Sequence, residues 1–289
     1  MPVGRHARAM NKHRSKWQNM TFIAAMDHSG GSTGGVLERY GVEYTEENKM
    51  DLVHEMRLRM ISNANFNNDN IWAAIVYKDS VDRGIVDVLR QKSIMTYLKI
   101  DSGCTEDGTL KQFPVKQMIE YANDNGCIGT KMRSIVKAMD ILEPILQQQF
   151  QLAETIYNAG LMPIVEPEIP IDHPLKQDME ILLTAKLQEH LESFTGMCIL
   201  KLTLPETPNQ YFNISRSAKV HKLVGLSGGY STNEACNKLA LNNNMTASFS
   251  RALSENLYYS DDEQMFDVAI TKNITNIVRA SNSGGALAQ

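Results

Sequence analysis

The stretch GLMPIVEPE at positions 160–168 contains the pattern that decides the fold of this chain. A glycine at which a helix can end comes first, a short apolar run follows, and the run ends in charged residues. The run at 161–165 is too short for a helix and lacks polar alternation, so it predicts a strand buried on both faces. Strands of this kind are typical of parallel sheets that are covered by helices.

Seven further runs of the same kind occur along the chain. The eight runs cover residues 22–26, 71–76, 93–98, 127–130, 161–165, 197–200, 222–226 and 245–249. Segments with the apolar spacing of amphipathic helices lie between them, at 46–63, 148–160, 176–194 and 232–241. Eight strand–helix units in 289 residues predict an α/β fold, a closed (β/α)8 or TIM barrel. A doubly wound open sheet is the alternative.

Composition limits the class of protein. Hydrophobic residues make up 43% of the chain, and the formal net charge of −4 argues against a nucleic-acid partner. No apolar run reaches the roughly 18 residues of a membrane span, so we expect no membrane partner. The four cysteines lack CxxC spacing and the N-terminus lacks a secretory signal, which favours the cytoplasm. The seven histidines lack metal-ligand spacing, so we predict no metal site.

We expect one catalytic domain at 21–280, between a flexible basic arm at 1–20 and a flexible tail at 281–289. Charged residues follow the apolar runs, and in a barrel the carboxyl ends of all strands meet at one mouth, where barrel enzymes place their chemistry. The residues concerned are Asp27, Lys99, Lys131, Glu166, Glu168, Lys201 and Arg251.

Lys201 is the candidate nucleophile. It lies between Leu200 and Leu202 on an apolar strand, and lysine is rarely buried unless it is paired. Burial and a cationic neighbour such as Lys131 would favour the neutral amine, the form that attacks carbonyl groups. A purely stabilising pair with Glu166 or Glu168 is the alternative.

Glu166 and Glu168 flank a proline, and strand alternation turns both carboxylates towards the same side. Crowding of the two groups would raise one pKa and leave the other carboxylate ionised, which suits general acid/base catalysis.

Two loops predict a phosphate site. Ser227, Gly228 and Gly229 follow the seventh run, and Ser250 and Arg251 follow the eighth, where barrels frequently bind phosphate. The glycine-rich stretch at 29–35 is either a second phosphate site or a connector.

Seven motifs in this order resemble class I fructose-bisphosphate aldolases, most closely the single-chain bacterial branch. They are AAMDHSGGSTGG at 24–35, YLKID at 97–101, GTKMRS at 129–134, IVEPEI at 164–169, LKLTLP at 200–205, LSGGYS at 226–231 and SFSRAL at 248–253. The likeness extends over residues 21–278. It implies glycolytic cleavage of fructose 1,6-bisphosphate through a lysine Schiff base, without metal or other cofactor, in a cytoplasmic homo-oligomer.

The resemblance also implies roles for single residues. Lys201 would form the Schiff base, Glu166 would move protons with support from Glu168, Asp27 would orient substrate hydroxyls, and Lys131 would keep Lys201 neutral. The remaining residues would contact the substrate: Lys99 in the pocket, Ser29 and Ser32 near its far end, and Ser227, Gly228, Gly229, Ser250 and Arg251 at the phosphate of dihydroxyacetone phosphate.

The chain departs from the family pattern at two positions of the pocket. His28 stands where an acidic or amide residue is usual, and Ser102 stands where a lysine is expected. The C-terminus lacks the tyrosine of the animal enzymes, which leaves open the group that handles the C3 proton. A tagatose-bisphosphate aldolase, another Schiff-base aldolase such as a transaldolase-like enzyme, and a non-catalytic sugar-phosphate-binding barrel are the alternatives.

Overall fold

The computed structural model describes residues 21–284, except for the side chains at positions 31 and 32. The predicted arm at 1–20 and residues 285–289 of the predicted tail lie outside this range. Within it, the strands are β1 Phe22–Met26, β2 Ile71–Val76, β3 Met95–Lys99, β4 Gly129–Ile135, β5 Met162–Glu168, β6 Cys198–Thr203, β7 Val220–Leu226 and β8 Met245–Ala247.

The eight strands form one parallel sheet in the order β1 to β8. The Ala25 amide donates a hydrogen bond to the Phe249 carbonyl at 3.2 Å, which brings the first strand next to the segment after the last one. The sheet is therefore a nearly closed barrel, and the predicted TIM-barrel fold is confirmed.

Helices follow the strands. They are α1 Gly31–Tyr40, α2 Lys49–Ser62, α3 Lys78–Asp82, α4 Ile85–Gln91, α5 Val115–Asp124, α6 Leu142–Asn158, α7 Lys176–Ser193, α8 Phe212–Ser215, α9 Thr232–Ala240, α10 Arg251–Ser254 and α11 Glu263–Ser283. Gly126 and Gly160 adopt positive φ shortly after α5 and α6, so both helices end at a glycine, as the sequence predicts for Gly160. No helix in the described range is long and apolar enough to cross a bilayer.

Two apolar clusters hold the barrel together. The larger one lies between the sheet and the helices, and the smaller one fills the barrel with residues that include Ile23, Tyr97, Ile164 and Ile199. Because side chains alternate along a strand, one face of each strand serves each cluster. This double burial explains why the strands are apolar runs without alternation.

Several boundaries differ from the prediction. The run at 127–130 marks only the start of β4, which continues past Lys131 to Ile135, and β6 continues past Lys201 to Thr203. Polar residues inside these strands hid their true length. The last helix includes residues 281–283, which the sequence assigned to the tail, because the buried Ser281 hydroxyl accepts the Ala247 amide at 3.2 Å.

Candidate active site

A cavity of about 760 Å³ opens at the carboxyl ends of the strands. The structure brings together on its wall all the predicted site residues whose side chains it describes. These are Asp27, Ser29, Lys99, Lys131, Glu166, Glu168, Lys201, Ser227, Gly228, Gly229, Ser250 and Arg251. The Ser32 side chain lies outside the described part of the structure.

Strand alternation carries the charged groups to this cavity. On β5 the sequence of inward residues runs from Ile164 to Glu166 and Glu168, and on β6 it runs from Ile199 to Lys201. Apolar side chains thus fill the lower part of the barrel, and the next inward positions supply the charges of the mouth. The chemistry of the site is fixed on strands, which hold side chains more rigidly than loops do.

Four charged groups form a continuous chain at the base of the cavity. Lys131 Nζ lies 2.6 Å from Asp27 Oδ2 and 3.1 Å from Glu166 Oε2. Lys201 Nζ lies 3.0 Å from Glu166 Oε1. The side chains of Lys131, Glu166 and Lys201 are each no more than 5% exposed. Such buried charges persist because they compensate one another.

Burial and ion pairing have opposite effects on the pKa values of these charged groups. Burial by itself would raise the pKa of Asp27, but the charges of Lys131 and Lys201 and the hydrogen bond from Lys131 together outweigh it and hold that pKa below its ordinary value. Burial would likewise lower the pKa of Lys131, yet Asp27 and Glu166 raise it. Lys131 is therefore charged and Asp27 ionised at physiological pH, and Glu166 has a cationic partner in Lys131.

Each oxygen of the Glu166 carboxylate faces one of the two lysines, Oε1 facing Lys201 and Oε2 facing Lys131. Its Oε2 atom is buried and has no hydrogen-bond partner among the described residues, although Lys131 Nζ lies 3.1 Å away. Glu166 also lines the cavity, so the carboxylate between the two lysines stands beside the space that a ligand would fill.

A glutamine on α6 holds the backbone of Glu166. Gln149 Oε1 accepts the Glu166 amide at 3.0 Å, and Gln149 Nε2 donates to the Glu166 carbonyl at 3.2 Å and to Ser134 Oγ at 2.9 Å. Gln149 is completely buried. It therefore fixes the position of the candidate general base through the main chain.

Replacing Gln149 with leucine should destabilise the protein. The change removes three buried hydrogen bonds and leaves polar groups of Glu166 without partners, so we expect the free energy of unfolding in urea to fall by about 3 kcal/mol. Gln151→Leu changes an exposed position on the same helix and is the matched control. Equal stability of the two variants would contradict this role of Gln149.

Glu168 pairs with a residue that the sequence analysis did not single out. Arg133 Nη1 lies 2.9 Å from Glu168 Oε2. Burial raises the pKa of Glu168 in spite of the opposing effect of Arg133. Arg133 is two residues after Lys131 on β4, so alternation along a longer strand could have predicted its place in the cavity.

The loops after β7 and β8 form a corner of the cavity that we call the anion-binding corner, because its groups suit an anion. Gly228 and Gly229 have φ of 58° and 121°, and a Cβ at Gly228 would lie 2.6 Å from Ile171 Cγ2, so a side chain is excluded there. Arg251 Nη1 donates to the Gly229 carbonyl at 3.0 Å. Arg39 from α1 also lines the cavity, and burial together with the charge of Arg251 lowers its pKa. Two guanidinium groups beside exposed backbone amides suit a phosphate.

Ser29 and Ser250, two of the predicted serines, have side-chain partners. Lys99 Nζ donates to Ser29 Oγ at 2.8 Å and lies 3.3 Å from Asp101 Oδ1. Ser250 Oγ lies 2.7 Å from His28 Nε2. Burial lowers the pKa of His28 to about 4 despite the attraction of Asp27. His28 is thus a neutral hydrogen-bonding group at physiological pH, as an amide would be.

Sequence reasoning missed several residues of the cavity wall. They are Arg39, Tyr77, Lys111, Arg133 and Ser248. Arg39 lies on a helix and Lys111 in a loop, and no local pattern marks either position as part of the mouth. In the described range, no group of three or more His, Cys, Asp and Glu side chains is placed to hold a metal ion.

Comparison with solved structures supports the fold. The chain is similar to the fructose-bisphosphate aldolase of Plasmodium falciparum, crystallised in a ternary complex with TRAP and a small-molecule inhibitor. The TM-score is 0.72 and the identity 19%, over 97% of this chain and 96% of that one. An archaeal fructose 1,6-bisphosphate aldolase matches with a TM-score of 0.58 and 11% identity, over 92% and 98% of the two chains.

Comparison with curated proteins supports the family. No model of a protein family matches the chain. It is 39% identical over 279 residues to the class 1 fructose-bisphosphate aldolase of Synechocystis sp., covering 90% of this chain and 93% of that protein. It is 38% identical to the class 1 enzyme of Clostridium acetobutylicum, covering 90% and 95%. The chain therefore belongs to the class I fructose-bisphosphate aldolases.

Proposed function

We propose that this protein is a class I fructose-bisphosphate aldolase, a carbon–carbon lyase that uses Lys201 as its Schiff-base residue. The observation that carries this proposal is the buried Lys201–Glu166–Lys131–Asp27 chain at the base of a cavity with an anion-binding corner. It unites an amine, a proton carrier and a phosphate site. The family membership of the chain supports the same reaction.

The first half of the reaction forms the imine. Lys201 Nζ attacks the C2 ketone of fructose 1,6-bisphosphate, and its proton passes to Glu166, 3.0 Å away. Glu166 then returns a proton to the carbinolamine hydroxyl, which leaves as water. Lys131 stays charged throughout because Asp27 holds it, so the positive charge of the forming iminium is not joined by a second unpaired cation.

The second half cleaves the carbon skeleton. The protonated imine accepts the electron pair of the C3–C4 bond, while Glu166 takes the proton of the C4 hydroxyl and glyceraldehyde 3-phosphate leaves. Protonation and hydrolysis of the remaining enamine then release dihydroxyacetone phosphate. Asp27 orients the substrate hydroxyls and Glu168, held by Arg133, supports Glu166. Ser227, Gly228, Gly229, Ser250 and Arg251 bind the C1 phosphate, and Lys99 lines the pocket. The resemblance assigns Ser29 and Ser32 to the other end of the substrate.

The remaining expectations concern the setting of the reaction. The imine supplies the electron sink, so we expect activity without a metal ion or other cofactor. We also expect a homo-oligomer in the cytoplasm. Fructose and tagatose bisphosphates differ only at C4, and assays with both sugars will rank them.

Borohydride trapping tests the proposal directly. Incubation with dihydroxyacetone phosphate followed by borohydride should attach the sugar to Lys201, which peptide mass analysis can locate. Lys222 is the internal control: burial lowers its pKa to about 8, but it does not line the cavity and its Nζ lies 5.2 Å from the centre of the Trp72 ring. A label on Lys222 instead of Lys201, or activity that EDTA abolishes without any adduct, would contradict the proposal.

A further inference from the structure

The loop between β3 and α5 folds back on itself at the rim of the cavity. Cys104 and Leu110 form an antiparallel bridge, and the Thr105 amide donates to the Thr109 carbonyl at 2.9 Å. The Lys111 amide donates to the Gly103 carbonyl at 3.0 Å. Lys111 is therefore paired with Gly103, the residue next to Ser102, and all three of these residues line the cavity.

The backbone on either side of this hairpin is anchored. The Gln148 side chain on α6 accepts the Leu110 amide at 2.8 Å and donates to the Leu110 carbonyl at 3.0 Å. The Gly108 carbonyl accepts the Ile135 amide at 2.9 Å, and a Cβ at Gly108 would lie 1.9 Å from Ile135 O. These contacts hold the loop against α6 and β4, so the backbone of Lys111 has a fixed position at the rim.

Lys111 is the uncompensated cation on this side of the cavity. Its neighbours are paired, Lys99 with Asp101 at 3.3 Å and Arg133 with Glu168 at 2.9 Å. The ammonium group of Lys111 forms no ion pair with any carboxylate of residues 21–284. A cation at a cavity rim without a protein counter-ion is suited to an anionic ligand.

The position of Lys111 relative to the anion-binding corner suggests which anionic group Lys111 would contact. The loop after β3 and the loops after β7 and β8 are separated by about half of the eight-stranded cylinder. Lys201 and Glu166, on β6 and β5, lie between them along the sheet. A substrate bound at the corner by one phosphate would extend across the reacting groups towards Lys111.

We infer that Lys111 binds the C6 phosphate of the ketose bisphosphate and replaces the lysine that the family places at position 102. The hydroxyl of Ser102 carries no charge, whereas the hairpin brings the ammonium group of Lys111 to the same rim. This inference rests on the proposed function. It makes Lys111 a determinant of the preference for substrates phosphorylated at both ends.

The test compares two substrates that differ only in this phosphate. Lys111→Ala should raise KM for fructose 1,6-bisphosphate about tenfold, because one charge-assisted contact is lost at a partly exposed site. Cleavage of fructose 1-phosphate, which lacks the C6 phosphate, should keep its kcat/KM. The double variant Ser102→Lys with Lys111→Ala should recover the lower KM for the bisphosphate.

Lys116→Ala is the matched control, since Lys116 is 91% exposed on α5 and does not line the cavity. An equal loss on both substrates, or no loss on either, would overturn the assignment of Lys111. Borohydride trapping with dihydroxyacetone phosphate should still label Lys201 in the Lys111→Ala variant. If the unaltered protein gives neither adduct nor cleavage, the proposed function itself fails.

Discussion

Lys201→Met should lower kcat for cleavage of fructose 1,6-bisphosphate by about 10⁴-fold or more, because the covalent route through the imine is lost. Methionine has a similar length and an apolar end, so it fills the space of lysine without a second charge. Glu166 stays paired with Lys131 at 3.1 Å, and the fold should survive the change. Steady-state kinetics and a thermal unfolding curve measure the two effects separately.

Lys222→Met is the matched control for this variant. Lys222 is also a lysine on an inward-facing position of the barrel, on the neighbouring strand, but it lies outside the cavity. It should retain the activity of the unaltered protein. Residual cleavage in Lys201→Met within tenfold of the unaltered rate would show that another amine or a different mechanism carries the reaction.

Glu166→Gln should lower kcat by about 10²- to 10⁴-fold, the usual contribution of a positioned acid or base. The amide keeps the shape of the side chain and the main-chain bonds to Gln149, but it cannot accept the proton from the C4 hydroxyl. KM should change little, because no phosphate contact is altered. Single-turnover kinetics can separate slow imine formation from slow bond cleavage.

Glu180→Gln is the control for the loss of a buried carboxylate. Glu180 is completely buried and paired with Lys176 away from the cavity, so its replacement should lower stability without the same loss of kcat. If both variants lost activity equally, the effect of Glu166→Gln would reflect destabilisation. If Glu166→Gln kept full activity, another group would be the acid/base.

The barrel could be predicted because burial on both faces leaves a local mark. Every strand of a parallel sheet must be apolar on both sides, so eight short runs were visible without knowledge of any contact. The ends of β4 and β6 were harder to predict, since Lys131 and Lys201 look like residues that close a strand. In the barrel they lie within strands, because the other buried charges of the mouth compensate them.

The candidate residues could be found for a similar reason, but their pairing could not. The sequence predicts Lys131 beside Lys201 as a like-charged neighbour that keeps the amine neutral. In the structure, the direct partners of Lys131 are Asp27 and Glu166, and Glu166 stands between the two lysines. Asp27 and Lys131 are more than a hundred residues apart, so only closure of the barrel brings them within 2.6 Å.

The sequence by itself determined the fold and the chemical types at the mouth, because both follow from local patterns of burial and charge, and its ordered motifs identified the family by resemblance. Tertiary structure decided the partners: Gln149 on the backbone of Glu166, Arg39 beside Arg251, and Lys111 across from Gly103. These residues lie on helices and loops. The pattern of polar and apolar residues there predicts which positions are exposed, but not which strand each residue contacts. Contacts of this kind depend on how the barrel closes, which no short stretch of sequence specifies.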